Sequence, residues 1–218
     1  MSTYAVSELV KEVKVLLDRN QETSGLLTPT DTDTLSQGEL IQSKIVDAAR
    51  IILKDAPASM LDGKTFYELN TAWAESNGAY VGTVYLPSDM IRLLNVKASD
   101  WNRSAEIITE EDDAYKIQCN RFGVRGNPER PIAALIHNSG NRYLELFTSK
   151  SNTATVSLTY VGMPSISEGN IDLPETLKDS IVYMAGYLTC ISLGDTDTAS
   201  GLLGVARKLA HIVEPTTS

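Results

Sequence analysis

Residues 80–87 read Tyr-Val-Gly-Thr-Val-Tyr-Leu-Pro, and this stretch decides the class of the fold. A run of aromatic and β-branched residues that ends at a proline is typical of a β-strand. Short links between such runs favour antiparallel pairing, and Asn-Ser-Gly-Asn at 138–141 predicts a hairpin turn. The same strand character recurs in four further stretches, at 91–96, 132–137, 143–147 and 155–161.

Helical periodicity flanks this β-rich region on both sides. Residues 5–20 carry apolar side chains at three- and four-residue steps, which predicts an amphipathic helix. A second helix should begin at Ser36, because Ser36 and Glu39 form a Ser-x-x-Glu capping box. Another should begin near Pro174, a good first helical residue, and end at Gly194, with a last helix after it.

This order predicts an α+β fold, with a helical bundle of about four main helices and an inserted antiparallel β-domain. We expect the helical part at 1–76 and 170–218 and the inserted β-rich part at 77–169, within a single chain unit of residues 1–218. A chain of 218 residues buries roughly 70% of its unfolded surface, so it needs neither a disulfide nor a metal to be stable.

The composition favours a soluble protein that does not bind nucleic acid tightly. The formal net charge is −9, with 19 basic and 28 acidic residues, whereas phosphate binding needs a concentrated basic face. Cys119 and Cys190 are far apart in sequence, which indicates reduced thiols. The N-terminus lacks the pattern of a signal peptide, and no apolar run is long enough to span a membrane. We therefore expect synthesis in the cytoplasm and no membrane partner.

No catalytic constellation is found, so the sequence predicts a protein that is not an enzyme and needs no cofactor. The two histidines, His137 and His211, have no nucleophile motif around them. The acidic run at 110–113 follows Thr109 and predicts the start of a short helix, because consecutive acids on one turn cannot surround an ion. Asp-Thr-Asp at 31–33 and at 195–197 is better explained by helix capping than by calcium binding. We expect no metal site.

Arginines and aromatic residues remain as candidates for contacts. Arg121, Arg125 and Arg130 form the one basic patch, which could meet phosphates. A loop with charged edges, or salt bridges to a neighbouring subunit, is the preferred interpretation. The aromatic residues are too scattered to form a base-stacking platform and are interpreted as core or interface residues: Trp73, Trp101, Tyr80, Tyr85, Tyr115 and Tyr143.

Two segments carry a resemblance to a known family. The first is Tyr-Val-Gly-Met-Pro at 160–164, followed by Ile-Asp-Leu-Pro-Glu at 171–175 and the helix through Ile-Val-Tyr-Met-Ala at 181–185. The second is Val-Tyr-Leu-Pro-Ser-Asp-Met-Ile-Arg at 84–92, followed by Ser-Asp-Trp at 99–101. Both segments resemble those of head–tail connector proteins, the portal adaptors or neck rings of tailed bacteriophages, and most closely those of short-tailed phages.

The resemblance implies a structural virion protein at the junction of head and tail. Such adaptors form a homo-oligomeric ring of about twelve copies with heterologous contacts between neighbours. The ring binds the portal protein on one side and further tail or neck proteins on the other, and it extends the channel through which DNA passes without sequence-specific binding. An acidic lumen repels DNA and keeps its passage smooth.

The C-terminal segment is our candidate for docking to the portal, because its polar end cannot build a core and such segments commonly order on binding. A frayed terminus explains the same composition. Arg121, Arg125 and Arg130, with the turn-rich residues 21–34, are candidates for contacts with other subunits or neck proteins. The proposed docking tail consists of His211, Ile212, Val213, Glu214, Pro215, Thr216, Thr217 and Ser218.

Two alternatives remain open at this point. One is another virion component, such as a tail-completion or tail-terminator protein. The other is a monomeric module built on the β-region that binds carbohydrate or protein, which predicts a concave site lined by exposed aromatic side chains.

Overall fold

The computed structural model describes residues 1–17, 36–68, 71–120, 124–138 and 140–213. The chain divides into two compact units. The discontinuous unit comprises Met1–Asp62 and Met163–Ser218, and the inserted unit is the continuous segment Gly63–Gly162.

The described residues form five α-helices and eleven β-strands. The helices are α1 (Val6–Leu16), α2 (Gln37–Asp55), α3 (Asp113–Cys119), α4 (Lys178–Leu193) and α5 (Thr196–Leu209). The strands are β1 (Ser2–Ala5), β2 (Lys64–Glu68), β3 (Ala72–Ser76), β4 (Ala79–Tyr85), β5 (Met90–Ala98), β6 (Glu106–Thr109), β7 (Ile132–Asn138), β8 (Asn141–Ser149), β9 (Val156–Gly162), β10 (Ile166–Ser167) and β11 (Asn170–Leu173).

Four helices of the discontinuous unit pack through their apolar stripes. Helix α4 contacts α1, α2 and α5, and α1 also contacts α2. The predicted capping box is confirmed, because Ser36 Oγ accepts from the Glu39 amide while the Glu39 carboxylate accepts from the Ser36 amide. The largest fully buried side chains of these stripes are Leu9, Ile41, Ile45, Ile52, Leu53 and Ile181.

A three-stranded antiparallel sheet belongs to the same unit and has the order β1-β11-β10. It pairs the start of the chain with the segment just before α4, from Ser2 opposite Leu173 to Ala5 opposite Asn170. Pro174 does not open α4 directly, since a 3-10 turn at Glu175–Leu177 comes first. Gly194 ends α4 in the left-handed conformation, at φ 78°, as the sequence predicts.

The inserted unit is a sandwich of two sheets. One sheet has the order β2-β9-β5 and the other the order β3-β4-β8-β7-β6. A single core lies between them and includes Val96 and Leu158 from the first sheet and Val84, Leu144 and Leu146 from the second. Alternation along each strand places these side chains inward, which is why their neighbours in sequence face outward.

Helix α3 covers part of the outer face of the five-stranded sheet. Ala114 and Tyr115 pack there against Ile108, Ala134 and Phe147. The helix begins where the acidic run predicts, and Asp112 Oδ2 accepts from both the amide and the hydroxyl of Thr109. Those bonds hold the pKa of Asp112 below its ordinary value.

The expected helical bundle with an inserted antiparallel β-domain is wrong as a description of this fold. The described chain is a sheet-rich α+β protein with three sheets, one of which lies in the discontinuous unit beside the helices. Strands β2 and β3 lie within 1–76, where helical structure is expected, and β6 pairs with β7 in parallel rather than antiparallel. The missed strands are short and largely exposed, so they carry little periodic signal.

Candidate functional site

A groove lies at one end of the outer face of the five-stranded sheet. Tyr85 of β4 is opposite Tyr143 of β8, and Asn141 of β8 is opposite Asn138 of β7. Directly paired residues point to the same face, and residues two apart along a strand do so as well. The pairing register therefore brings two tyrosines and two asparagines together, and these four residues line a groove of about 290 Å³.

The two tyrosine rings form an angled wall of this groove. Their centroids lie 6.3 Å apart and their planes are inclined by 57°. The Tyr85 side chain is 70% exposed, whereas Tyr143 is half-buried against the core beneath α3. An exposed aromatic ring beside a supported one offers a face for a flat ligand without any change in the fold.

The hairpin that joins β7 and β8 fixes the asparagines. Asn138 pairs with Asn141 across the turn, and Gly140 supplies the left-handed conformation that the turn requires, at φ 83°. Arg142, the next residue along β8, has the opposite orientation, and its guanidinium donates to the carbonyl oxygen of Met90 at 2.9 Å. The charge of Arg142 is therefore directed away from the face that carries the groove.

On the same face of the sheet, α3 covers the position next to Tyr143 along β8, which is Glu145. The Tyr115 hydroxyl donates to Glu145 Oε2 at 2.9 Å, and Glu145 follows Tyr143 by two positions on β8. Burial raises the pKa of Tyr115 well above its ordinary value, and hydrogen bonding to Cys119 and Glu145 adds to the rise. The Glu145 carboxylate is thus engaged by a neutral phenol.

A second groove of about 300 Å³ lies on the outer face of the three-stranded sheet of the inserted unit. Tyr67, Ser157 and Lys97 are paired across β2, β9 and β5, so they form one row on that face. Tyr67 is 66% exposed. This groove differs from the first in carrying a cation and several hydroxyl groups.

No protein-family model matches this chain, and no curated protein matches it.

The described part of the candidate docking tail closes α5. His211 adopts φ 52°, its amide donates to Lys208, and the Ile212 amide donates to the carbonyl oxygen of Arg207 at 2.9 Å. This pair of bonds is a Schellman motif, with a non-glycine residue in the left-handed position. Val213 is 87% exposed. Residues 214–218 lie outside the described residues, as do residues 21–34.

The candidate arginine loop is described only in part, because Arg121 lies outside the described residues. Arg125 is half-buried, and its Nη1 donates to Ser76 Oγ at 2.6 Å. Arg130 is exposed in a turn, where its amide donates to the carbonyl oxygen and the side-chain oxygen of Asn127. Arg125 is thus tied to β3, and Arg130 has its side chain toward solvent.

The remaining sequence candidates have structural roles where they are described. Asp195 Oδ1 accepts from the Thr198 amide and caps α5, as predicted, whereas Asp31 and Asp33 lie outside the described residues. Trp101 is a core residue, as predicted, and is 2% exposed.

Within the described ranges, no cluster of three or more histidine, cysteine or acidic side chains could hold a metal ion. None of the described helices is both long enough and apolar enough to cross a bilayer.

Sequence reasoning missed the tyrosine–asparagine groove. It treated the aromatic residues as scattered, whereas strand pairing brings Tyr85 and Tyr143 together. The hairpin at 138–141 and the strands that contain the two tyrosines were predicted from the sequence. The pairing register of β4 with β8 was not predicted, and a shift of one residue would have turned Tyr143 to the other face.

Proposed function

We propose that this chain is a non-enzymatic structural protein of a tailed-phage virion, a ring-forming adaptor between the portal and the tail or neck proteins. The ring extends the DNA channel and contains about twelve copies. The proposal rests on the two segments that resemble adaptors and on the order of the chain, in which one β-rich unit interrupts another unit.

The observation that carries the proposal is a contact between those two segments. Asp89, in the Leu-Pro-Ser-Asp turn, accepts a hydrogen bond from the hydroxyl of Tyr160 at 3.1 Å. Gly162 lies beside the same carboxylate, because a Cβ atom at that position would be 3.0 Å from Asp89 Oδ2. The beginning of the first stretch, Tyr160–Gly162, therefore packs within the inserted unit against the second stretch, as expected if the two stretches belong to one conserved arrangement.

Charge and exposed apolar residues also support the proposal. A net charge of −9 suits a surface past which DNA moves without adhering. On the helices, Ile191 of α4 and Val205 and Leu209 of α5 are exposed although they are apolar. Heterologous contacts around a ring bury such residues.

The first experiment is mass photometry of the purified chain, alone and mixed with the portal protein encoded by the same phage. A closed ring, or a monomer that binds the portal in fixed proportion, is the expected result. A chain that remains monomeric and ignores the portal would contradict the proposal and favour the binding-module alternative. A ring that ignores the portal would favour a tail-completion or tail-terminator protein.

The docking tail is tested separately by deleting residues 214–218. Portal binding should weaken while the oligomeric state of the chain alone stays the same. The control replaces the same five positions with glycine and serine, which keeps the length and removes the sequence. Unchanged portal binding in both variants would remove the tail from the docking surface and leave Arg130 as the next position to substitute.

A further inference from the structure

Tyr85 is placed at the end of a strand with most of its ring in solvent. At 70% exposure it contributes little to the core, and its contact with Tyr143 leaves one of its faces uncovered. Cross-strand aromatic pairs do stabilise sheets, but they do not need a concave surface beside them. Here the pair borders a groove of about 290 Å³.

The described lining of this groove is uncharged. It consists of two phenol rings and two carboxamides, and the nearest residue in sequence that carries a charge, Arg142, bonds to Met90 from the opposite side of the strand. A phosphate or carboxylate ligand needs a cation or a cluster of backbone amides. The lining therefore favours a neutral ligand.

Ring geometry and size narrow the ligand further. Two rings inclined by 57° cannot sandwich a flat base between them, because a sandwich requires parallel planes. One face of Tyr85 is available for stacking, and Tyr143 closes the side. Drug-sized ligands fill pockets of about 300–1,000 Å³, so a groove just below that range suits a ligand of one or two small rings.

Asn141 supplies the complementary chemistry. Its carboxamide offers two N–H donors and one carbonyl acceptor, which is the pattern that bonds two adjacent hydroxyl groups. Asn141 is opposite Asn138 and flanks the rings on the same face of the sheet. A pyranose ring has an apolar C–H face for the tyrosine and a rim of hydroxyls for the carboxamide.

We propose that Tyr85, Tyr143, Asn138 and Asn141 form a binding site for a neutral hexopyranose, the sugar unit of a glycan. Tyr85 stacks on the C–H face of the sugar, Tyr143 closes one side, Asn141 bonds its hydroxyls, and Asn138 lines the groove beside Asn141. The site goes beyond the adaptor proposal and is independent of ring assembly, since one copy of the inserted unit contains all four residues.

The test is saturation-transfer NMR on the full chain with methyl β-glucoside, methyl β-galactoside and N-acetylglucosamine, with adenosine as a comparison. At least one sugar should show saturable transfer in the millimolar range. Tyr85→Ala should weaken its binding by about tenfold or more, and Tyr85→Phe should retain most of it. Asn141→Asp keeps the shape of the side chain and removes its donors, so it should also weaken binding.

Tyr67→Ala is the matched control, because Tyr67 is 66% exposed on a different sheet of the same unit. It should leave sugar binding unchanged. Circular dichroism of each variant separates lost binding from lost folding, and Asn141→Asp tests the site if Tyr85→Ala does not fold. The proposal fails if no sugar shows saturable transfer up to about 50 mM, if Tyr67→Ala removes the transfer, or if adenosine binds more tightly than every sugar.

Discussion

The ammonium group of Lys178, at the first position of α4, donates a hydrogen bond to the carboxylate of Glu12 on α1 and lies 5.7 Å from the centroid of the Tyr4 ring. One side chain thus ties the first strand and helix of the chain to a helix that begins far later in sequence. The bond to Glu12 raises the pKa of Lys178, and partial burial opposes the rise.

We expect Lys178→Met to lower the free energy of unfolding by about 0.5–1 kcal/mol at neutral pH, because the pair is partly exposed and screened. A raised pKa means that the folded state holds the proton more tightly. The contribution is therefore fully present below the ordinary value of 10.5 and is lost as pH rises through the folded value. Urea unfolding of both proteins at about pH 7 and about pH 11 measures this difference.

Lys208→Met is the control, because Lys208 is an exposed lysine on α5. It should change stability little at either pH. A Lys178→Met defect of the same size at both pH values would contradict the role given to the ion pair.

The capping box of α2 makes a second prediction. Ser36→Ala should cost about 1 kcal/mol, since it leaves the Glu39 amide without its acceptor. Ser43→Ala is the control on the same helix, because the Ser43 hydroxyl only bonds back to the Leu40 carbonyl oxygen. An equal loss in both variants would show that the cap is not the cause.

Glu39 makes the stability of the chain depend on pH in the acid range. The Ser36 amide, and then its hydroxyl, lower the pKa of the Glu39 carboxyl. Its stabilising contribution is therefore present above the ordinary value of 4.5 and is lost as pH falls through the folded value. Glu39→Gln should remove that part of the acid dependence, as measured by thermal unfolding across the acid range. If the stability of Glu39→Gln fell with decreasing pH as steeply as that of the original chain, the role given to the capping bond would be contradicted.

Elements with a strong periodic signal could be predicted from sequence, whereas pairings between distant segments could not. The stripe and capping box of α2 lie within one short segment, so propensity and periodicity identify the helix. Strands β1 and β11 have four residues each and come from the two separate segments of the discontinuous unit. Nothing local in Ser-Thr-Tyr-Ala indicates that partner.

The candidate groove follows the same rule. Both tyrosines lie in stretches that are correctly predicted as strands, and the hairpin beside them is predicted from Asn-Ser-Gly-Asn. Which face each tyrosine occupies depends on the pairing of β4 with β8, including an irregularity in register between Tyr80 and Val81. A bulge of this kind changes which residues are opposite and has no reliable local signature.

Two glycines give a third prediction, because substitution by alanine should lower the stability of the chain at Gly126 and raise it at Gly201. A Cβ atom on Gly126 would lie 2.5 Å from the carbonyl oxygen of Phe147, and backbone cannot move aside as a side chain can. Gly126→Ala should therefore destabilise the chain by about 1–3 kcal/mol. Gly201 lies in α5, where a Cβ atom would meet open space outside its own helix backbone, so Gly201→Ala should stabilise the chain by about 0.5–1 kcal/mol. Thermal unfolding of each variant beside the original chain at the same concentration measures both, and a gain at Gly126 or a loss at Gly201 would refute the respective assignment.

The bond between Asp89 and Tyr160 gives the last prediction. Burial raises the pKa of Tyr160 and the bond to Asp89 adds to the rise, so the neutral phenol is the form that the folded state favours. Tyr160→Phe should cost about 1 kcal/mol, because the ring stays packed and only the hydroxyl is lost. A double-mutant cycle with Asp89→Ala, which removes the acceptor, should give a coupling energy of about 0.5–1 kcal/mol when measured by urea unfolding. The coupling should fade as pH rises through the folded pKa of Tyr160, above its ordinary value of 10.0. Additive losses in the two single variants would mean that the two segments merely lie near each other, which would weaken the structural support for the adaptor proposal.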